Sequence, residues 1–405
     1  MKVLKNFSQI ATLSSAYKKD GRHIIPDDLS IIENGTVVYI DKEILWVGKN
    51  NDLPLEYQKL RSVDCTGKVL VPEIVDCHTH VVFGGNRAGE YSMRLNGSDY
   101  EAIAKAGGGI LNTTSGTNNK TRNELFNESI KKIETIHSFG VGTIEIKSGY
   151  GLNFDKEYEI SHIINDLKKH FFPQIQIKNT FMAAHAIPKE FKSSKEYMNQ
   201  VVLPLLEKLG AEHILDAVDI FFERGYFDKT DTISLFECAK KFNLPVKLHA
   251  DEFQDNKGAV IGCEYKALSV DHLLMTGADG IEALAKSDTV ATLLPGTGFF
   301  LGKKQADAKK FLDAGCKVAI GSDYNPGSCH LNNVLLAASL AAPHYKMNIG
   351  QLWCAITLNA AHALNLKKQG AIIKGLSPRF SFFDCESIDE ITYSWGKNLA
   401  KTVLN

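Results

Sequence analysis

The chain has 405 residues, 44% of them hydrophobic and 23% charged, which supplies a large core and more length than one ordinary domain uses. Its 46 basic and 47 acidic side chains leave a net charge of -1, so no general field draws in nucleic acid or an anionic membrane, and recognition has to come from a local site. Eight cysteines without a C-x-x-C pair indicate reduced thiols, and neither a signal-like apolar segment nor a membrane-length run occurs, so a cytoplasmic protein with a small-molecule partner is expected.

In chain order, the first clear pattern is SIIENGTVVYIDKEILWVG (30–48), which alternates like a hairpin and carries turn signals at Asn34-Gly35 and Asp41-Lys42. From about residue 67 to 345, short apolar runs alternate with amphipathic segments. The candidate strands number eight: 68–76, 141–147, 175–181, 215–222, 245–249, 267–271, 289–294 and 317–322. Between them, TRNELFNESIKKIETIHSFG puts Phe126, Ile130, Ile133 and His137 on one helical face, with His137 read as a packed residue. Eight apolar strands, each followed by a helix, predict an α/β fold of the closed (β/α)8 TIM-barrel type. The competing open, doubly wound sheet would place a Gly-rich phosphate loop directly after its first strand, and none stands there. A second hairpin is read in FSFFDCESIDEITYSW (380–395). The expected organisation is a barrel over 67–365, with 1–66 and 366–405 pairing into a small discontinuous β-sandwich domain.

Barrel chemistry sits at the carboxyl ends of the strands, so the polar residues there are the candidates. His78 and His80 follow the first, Lys147, Ser148 and Tyr150 the second, His185 the third, Glu223 and Arg224 the fourth. His249, Asp251 and Glu252 follow the fifth, His272 the sixth, and Asp323, Asn325 and Ser328 the eighth, whereas the seventh ends blandly in Leu294-Pro295-Gly296. Residues i and i+2 of an extended segment share a side, so His78 and His80 can reach one point. With His249 and Asp323 they make a nitrogen and oxygen donor set for one metal ion with an open position for water. Asp323 could accept that water's proton. His185 and His272 are then either ligands of a second metal or groups that polarise and contact a substrate. Without a Lys after the fourth strand to bridge two metals, one metal is favoured, with His272 polarising a carbonyl and His185 touching substrate. Glu252 is placed to protonate a ring nitrogen, with a helix-capping role for Asp251 or Glu252 as the alternative. Arg87, in a Gly-bounded loop, reads as a carboxylate clamp, and Tyr150 as an added phenol donor.

These residues resemble the metal-dependent amidohydrolase superfamily and, within it, the imidazolonepropionase family. The general signal is His78-Thr79-His80 with His249, His272 and Asp323. The specific signals are FGGNRAGEYSMRL (83–95), EIKSGYGL (145–152), FMAAHAIP (181–188), KLHADEF (247–253), SVDHL (269–273), LLPGTGFFL (293–301) and SDYNPGSC (322–329). The resemblance implies hydrolysis of 4-imidazolone-5-propanoate to N-formimidoyl-L-glutamate with one zinc or iron ion, divalent or trivalent, per subunit. It also implies substrate or product contacts from Arg87, Tyr150, His185, Glu252, Asn325, Gly327 and Ser328. A deaminase of the same barrel, acting on an aromatic amine, is the alternative activity, and a homodimer is expected. The chain departs from the family pattern at Glu73 (usually Gly), Cys77 (commonly Pro) and Tyr324 (usually smaller).

Overall fold

The computed structural model describes residues 1–98 and 108–401. At the N-terminus, β1 (Lys2–Ala11) pairs antiparallel with β2 (Ile31–Tyr39), and β2 with β3 (Ile44–Lys49). On β1 also lie the parallel strands β4 (Ser62–Asp64) and β5 (Lys68–Pro72). The predicted turn at Asn34-Gly35 is not a turn. Strand β2 runs straight through it, and the positive-φ residues Asn34 (φ 50°) and Asn6 (φ 65°) are absorbed in paired strands whose register slips between Leu4 and Phe7. The chain reverses at Asp41-Lys42, where the Ile40 N–H donates to the Glu43 carbonyl.

The barrel follows. Strands β6 (Ile74–Asp76), β7 (Val141–Lys147), β8 (Gln176–Phe181) and β9 (Ala217–Val218) form one parallel arc. Strands β10 (Phe221–Phe222), β11 (Leu248–Ala250), β12 (Ser269–His272), β13 (Val290–Leu293) and β14 (Val318–Ile320) form the other. Parallel bridges between Val218 and Val246 and between Thr79 and Tyr324 join the arcs, with β9 and β10 the two halves of the interrupted fourth barrel strand. The closed parallel barrel is therefore as expected. Around it, the helix Arg122–Ser138 buries Leu125, Ser129, Ile133 and Ile136, a face turned slightly from the predicted one, and His137 packs with Nδ1 2.7 Å from the Val141 carbonyl oxygen.

Two corrections concern the ends. The first predicted strand divides at Glu73: Lys68–Pro72 belongs to the small sheet and only Ile74–Asp76 to the barrel. The segment 380–395 is not a hairpin; β15 (Phe380–Asp384) pairs with β5 and with β16 (Ala400–Lys401), while Ser387 and Glu390 form a capping box that starts the helix Ile388–Tyr393. Both terminal segments thus share one seven-stranded sheet, across which Tyr39 of β2 meets Phe380 of β15 with ring centroids 5.5 Å apart. Among the described residues no helix is long and apolar enough to cross a membrane, and all eight cysteines are free.

Glu73 shows how sheet and barrel are tied. Its carboxylate accepts from the Arg379 guanidinium at 2.7 Å and from the Thr143 hydroxyl, in room left by Gly142. Arg379→Ala should lower unfolding free energy by about 3 kcal/mol in urea titration, because the buried carboxylate loses its partner. Glu73→Gly in that background should recover most of the loss, since the stranded charge is then gone.

Candidate active site

The sequence-predicted metal donors converge. His78 and His80 extend from β6, His249 lies in β11, and their ring nitrogens come within 4.8 Å of one another in a buried cluster. Asp323, just past β14, places Oδ1 3.5 Å from His78 Nε2 and 3.9 Å from His80 Nε2. Among the described residues, His78 Nε2 and His249 Nε2 have no hydrogen-bond partner, a state that buried nitrogens rarely occupy unless another group binds them. Burial, with the neighbouring imidazoles and the Lys147 ammonium, pushes the pKa values of His78, His80 and His249 well below the usual histidine range, so all three stay neutral, the form that coordinates metal. Three imidazoles and one carboxylate fit a borderline cation such as zinc or iron.

What aims these rings was not foreseen. His78 Nδ1 lies 2.6 Å from Asp271 Oδ2, and His249 Nδ1 lies 3.1 Å from Asp219 Oδ2, the latter without hydrogen-bond alignment. A carboxylate accepts from an Nδ1–H, and the lone pair is then left on Nε2, toward the open end of the barrel. Both carboxylates belong to a fully buried cluster with Glu145, Lys147 and Lys247. The signal was in the sequence. Charged residues interrupt strands that are otherwise apolar, at the two-residue spacing that turns side chains inward: Glu145 and Lys147, Lys247 and His249.

At the mouth, His272 (φ 80°) and Asp323 (φ 53°) both adopt the left-handed backbone region, which is costly for such residues and tolerated where surrounding structure demands it. Burial pushes the Asp323 carboxyl up to about 6. Its Oδ2 accepts from the Thr297 hydroxyl, which leaves Oδ1 for the histidine side. Thr297 follows the seventh strand, so that strand's end is not bland: it supplies the group that orients Asp323. Glu252 Oε2 stands 3.8 Å from His272 Nε2. The capping role falls to Asp251, which accepts from the backbone N–H groups of Asn256, Gly258 and Ala259 and from the Thr276 hydroxyl. Glu223 anchors the same loop by accepting from the Phe253 N–H, and both leave Glu252 facing the cavity.

That cavity, of about 470 Å³, is lined by His80, His249 and Asp323 of the candidate donor set together with Arg87, Asn325, Gly327 and Ser328. Tyr150 and His185 also line it, with ring centroids 5.7 Å and 5.1 Å from that of His80. Its size suits a small substrate. Arg87 is steadied by Glu90, whose Oε2 lies 2.8 Å from Nε and 2.7 Å from Nη2, while Glu90 Oε1 accepts from Gly109 N–H and the Asn112 amide. Glu90 was missed, although Arg-x-x-Glu at the start of a helix brings the two side chains together. Gly327 packs against the guanidinium, where a side chain would collide with Nη1. The amide of Asn325 is engaged within its own loop, accepting from Gly327 and Ser328 N–H groups at 2.8 Å. His185 Nδ1 lies 3.1 Å from the Gly149 carbonyl oxygen, and burial lowers its pKa to about 4, so it meets a substrate as neutral imidazole.

Comparison with known proteins agrees with this geometry. A family model described as "Amidohydrolase family" matches residues 69–405. An imidazolonepropionase of Paracoccus denitrificans (strain Pd 1222) is 39% identical over 373 residues, covering 91% of this chain and 92% of that protein. One from Clostridium tetani (strain Massachusetts / E88) is 37% identical over 406 residues, covering 99% and 96%. Among solved structures, atrazine chlorohydrolase TrzN from Arthrobacter aurescens TC1 complexed with zinc superposes with a TM-score of 0.73 at 14% identity, covering 99% and 93% of the two chains. A guanine deaminase from C. acetobutylicum gives 0.65 at 15% identity, covering 94% and 90%. At such identities the structural matches establish the fold alone.

Asp271→Asn should weaken metal affinity about 10- to 100-fold, read by competition with a chelator, because an amide can present its NH2 to His78 Nδ1 and reverse the tautomer. Unchanged affinity would remove Asp271 from the positioning role.

Proposed function

The chain belongs to the amidohydrolase family, in its imidazolonepropionase branch, and from that premise we propose how this barrel mouth opens the ring of 4-imidazolone-5-propanoate. It is a metal-dependent hydrolase of a cyclic-amide C–N bond, a step of histidine degradation whose product is N-formimidoyl-L-glutamate. The observation that carries the residue assignment is that His80, His249 and Asp323 of the donor cluster and the Arg87 guanidinium line one cavity.

In this reading His78, His80, His249 and Asp323 hold the metal. Bound there, the ion supplies Lewis acidity and a water acidic enough to ionise near neutral pH. Arg87 and Tyr150 grip the propanoate, which fixes the ring carbonyl toward the donor cluster and makes the attack nearly intramolecular. Asp323, with His272 beside it, takes the proton of the attacking water, and His272 also steadies charge developing on the carbonyl oxygen. The bond from the carbonyl carbon to the ring nitrogen breaks, Glu252 delivers a proton to that nitrogen, and a new carboxylate is left. His185 lines the ring as a neutral partner, while Asn325, Gly327 and Ser328 shape the wall against Arg87 and touch substrate or product.

The same reading takes one zinc or iron ion per subunit, a homodimer, and the cytoplasm, where eight free thiols remain reduced. It treats residues 67–365 as the catalytic barrel and 1–66 with 366–405 as the flanking β domain, Lys68–Pro72 carrying the chain from one into the other.

Adding 4-imidazolone-5-propanoate to metal-replete protein should yield formiminoglutamate. His78→Ala should lose both metal and turnover, and Arg87→Met should raise KM about 10- to 100-fold with the metal retained. Release of ammonia from guanine without conversion of the imidazolone would replace this function with an aminohydrolase.

A further inference from the structure

The cluster beneath the donor histidines contains enough ligands for another cation. Besides the upper set, two further groups among the described residues bring their donor atoms within 4.8 Å of one another: His78, Glu145 and Asp271, and Asp219, His249 and Asp271. All of these residues are buried, and both groups include Asp271. An ammonium group already sits among them. Lys147 Nζ lies 2.6 Å from Asp219 Oδ2, 2.9 Å from Glu145 Oε2 and 3.6 Å from Asp271 Oδ2. Lys247 is placed differently: its Nζ reaches Glu145 at 2.8 Å and the Cys77 carbonyl oxygen at 3.0 Å, but Asp271 only at 3.9 Å.

We propose that Lys147 is a positioning residue whose ammonium fills the interior cation position, keeping a second metal ion out while holding Asp219 and Asp271 against His249 and His78. The inference rests on the ligand assignment made above. Charge favours it. Three buried carboxylates are set against two ammonium groups, and removing Lys147 leaves two uncompensated negative charges among oxygen and nitrogen donors, a demand that one divalent ion meets. Geometry gives the second reason. An ammonium is a compact point charge with three donors, and here it is shared by three carboxylates, two of which neighbour the Nδ1 atoms of metal-binding imidazoles. The lysine thus does from below what a second metal would do, without competing for Nε2.

The test is metal stoichiometry by elemental analysis after equilibration with zinc and desalting. Wild-type protein and Lys147→Arg, which keeps the charge, should each retain one equivalent. Lys147→Met should retain two. Folded Lys147→Met that holds one equivalent at wild-type affinity overturns the proposal, as does Lys147→Arg with two. If Lys147→Met is isolated unfolded, it should regain native circular dichroism on refolding with two equivalents of zinc, and failure to recover at any zinc concentration overturns the proposal equally. His78→Ala that keeps its metal would instead sink the ligand assignment, which Lys147→Met does not test.

Discussion

Five acidic and basic side chains, Glu145, Lys147, Asp219, Lys247 and Asp271, share the buried interior of the barrel, and each finds its ion-pair partners among the others. Their pairing leaves almost no slack. Burial alone would discharge Lys147, yet the three carboxylates around it outweigh that and hold its ammonium charged above the usual lysine range. Because Asp271 also hydrogen-bonds His78 Nδ1 and Asp219 lies 3.1 Å from His249 Nδ1, the arrangement that satisfies the charges also turns Nε2 of His78 toward the mouth. The candidate metal donors are therefore oriented by a constraint that is electrostatic in origin and located beneath them.

The upper layer is built by backbone geometry instead. His272 and Asp323 leave their strands with positive φ, and Thr297 then takes one oxygen of Asp323, so the carboxylate has a single oxygen left for the histidine side. A similar restriction applies to Arg87 in the cavity wall. Glu90 occupies Nε and Nη2, and Gly327 admits Nη1, so the guanidinium is held at a fixed depth before any substrate arrives.

How far the sequence shows all this depends on the range of the interaction. The barrel, the strand-end histidines and Asp323 were legible because strand period and chain order are local signals, and strand ends converge in a closed barrel by topology. The interior pairing was not, since Asp271 meets His78 across 193 positions and Lys147 meets Asp219 across 72. Inward-facing charges were visible as interruptions in β7 and in the runs leading to β11, but their partners were not. The N-terminal strands misled for a different reason: Asn34-Gly35 is a strong turn signal that long-range pairing with β1 overrides. At 380–395 the alternation hid a capping box, Ser387 to Glu390, which favours a helix over a returning strand.

That a chlorohydrolase superposes over nearly the whole chain at 14% identity shows how little of this architecture is specific to a reaction. The choice of substrate must then come from residues that a barrel does not require. Arg87, Glu90 and Gly327 qualify: none lies in a barrel strand, none pairs with the interior cluster, and together they set a cation at one distance from the donor set. On the proposed assignment, a propanoate brings a charge to that cation and a flat ring to the donor set, whereas an uncharged aromatic amine would leave the half-buried guanidinium paired with Glu90 alone, its remaining donors without a carboxylate to meet. Discrimination against such amines follows from the unpaired donor and needs no clash.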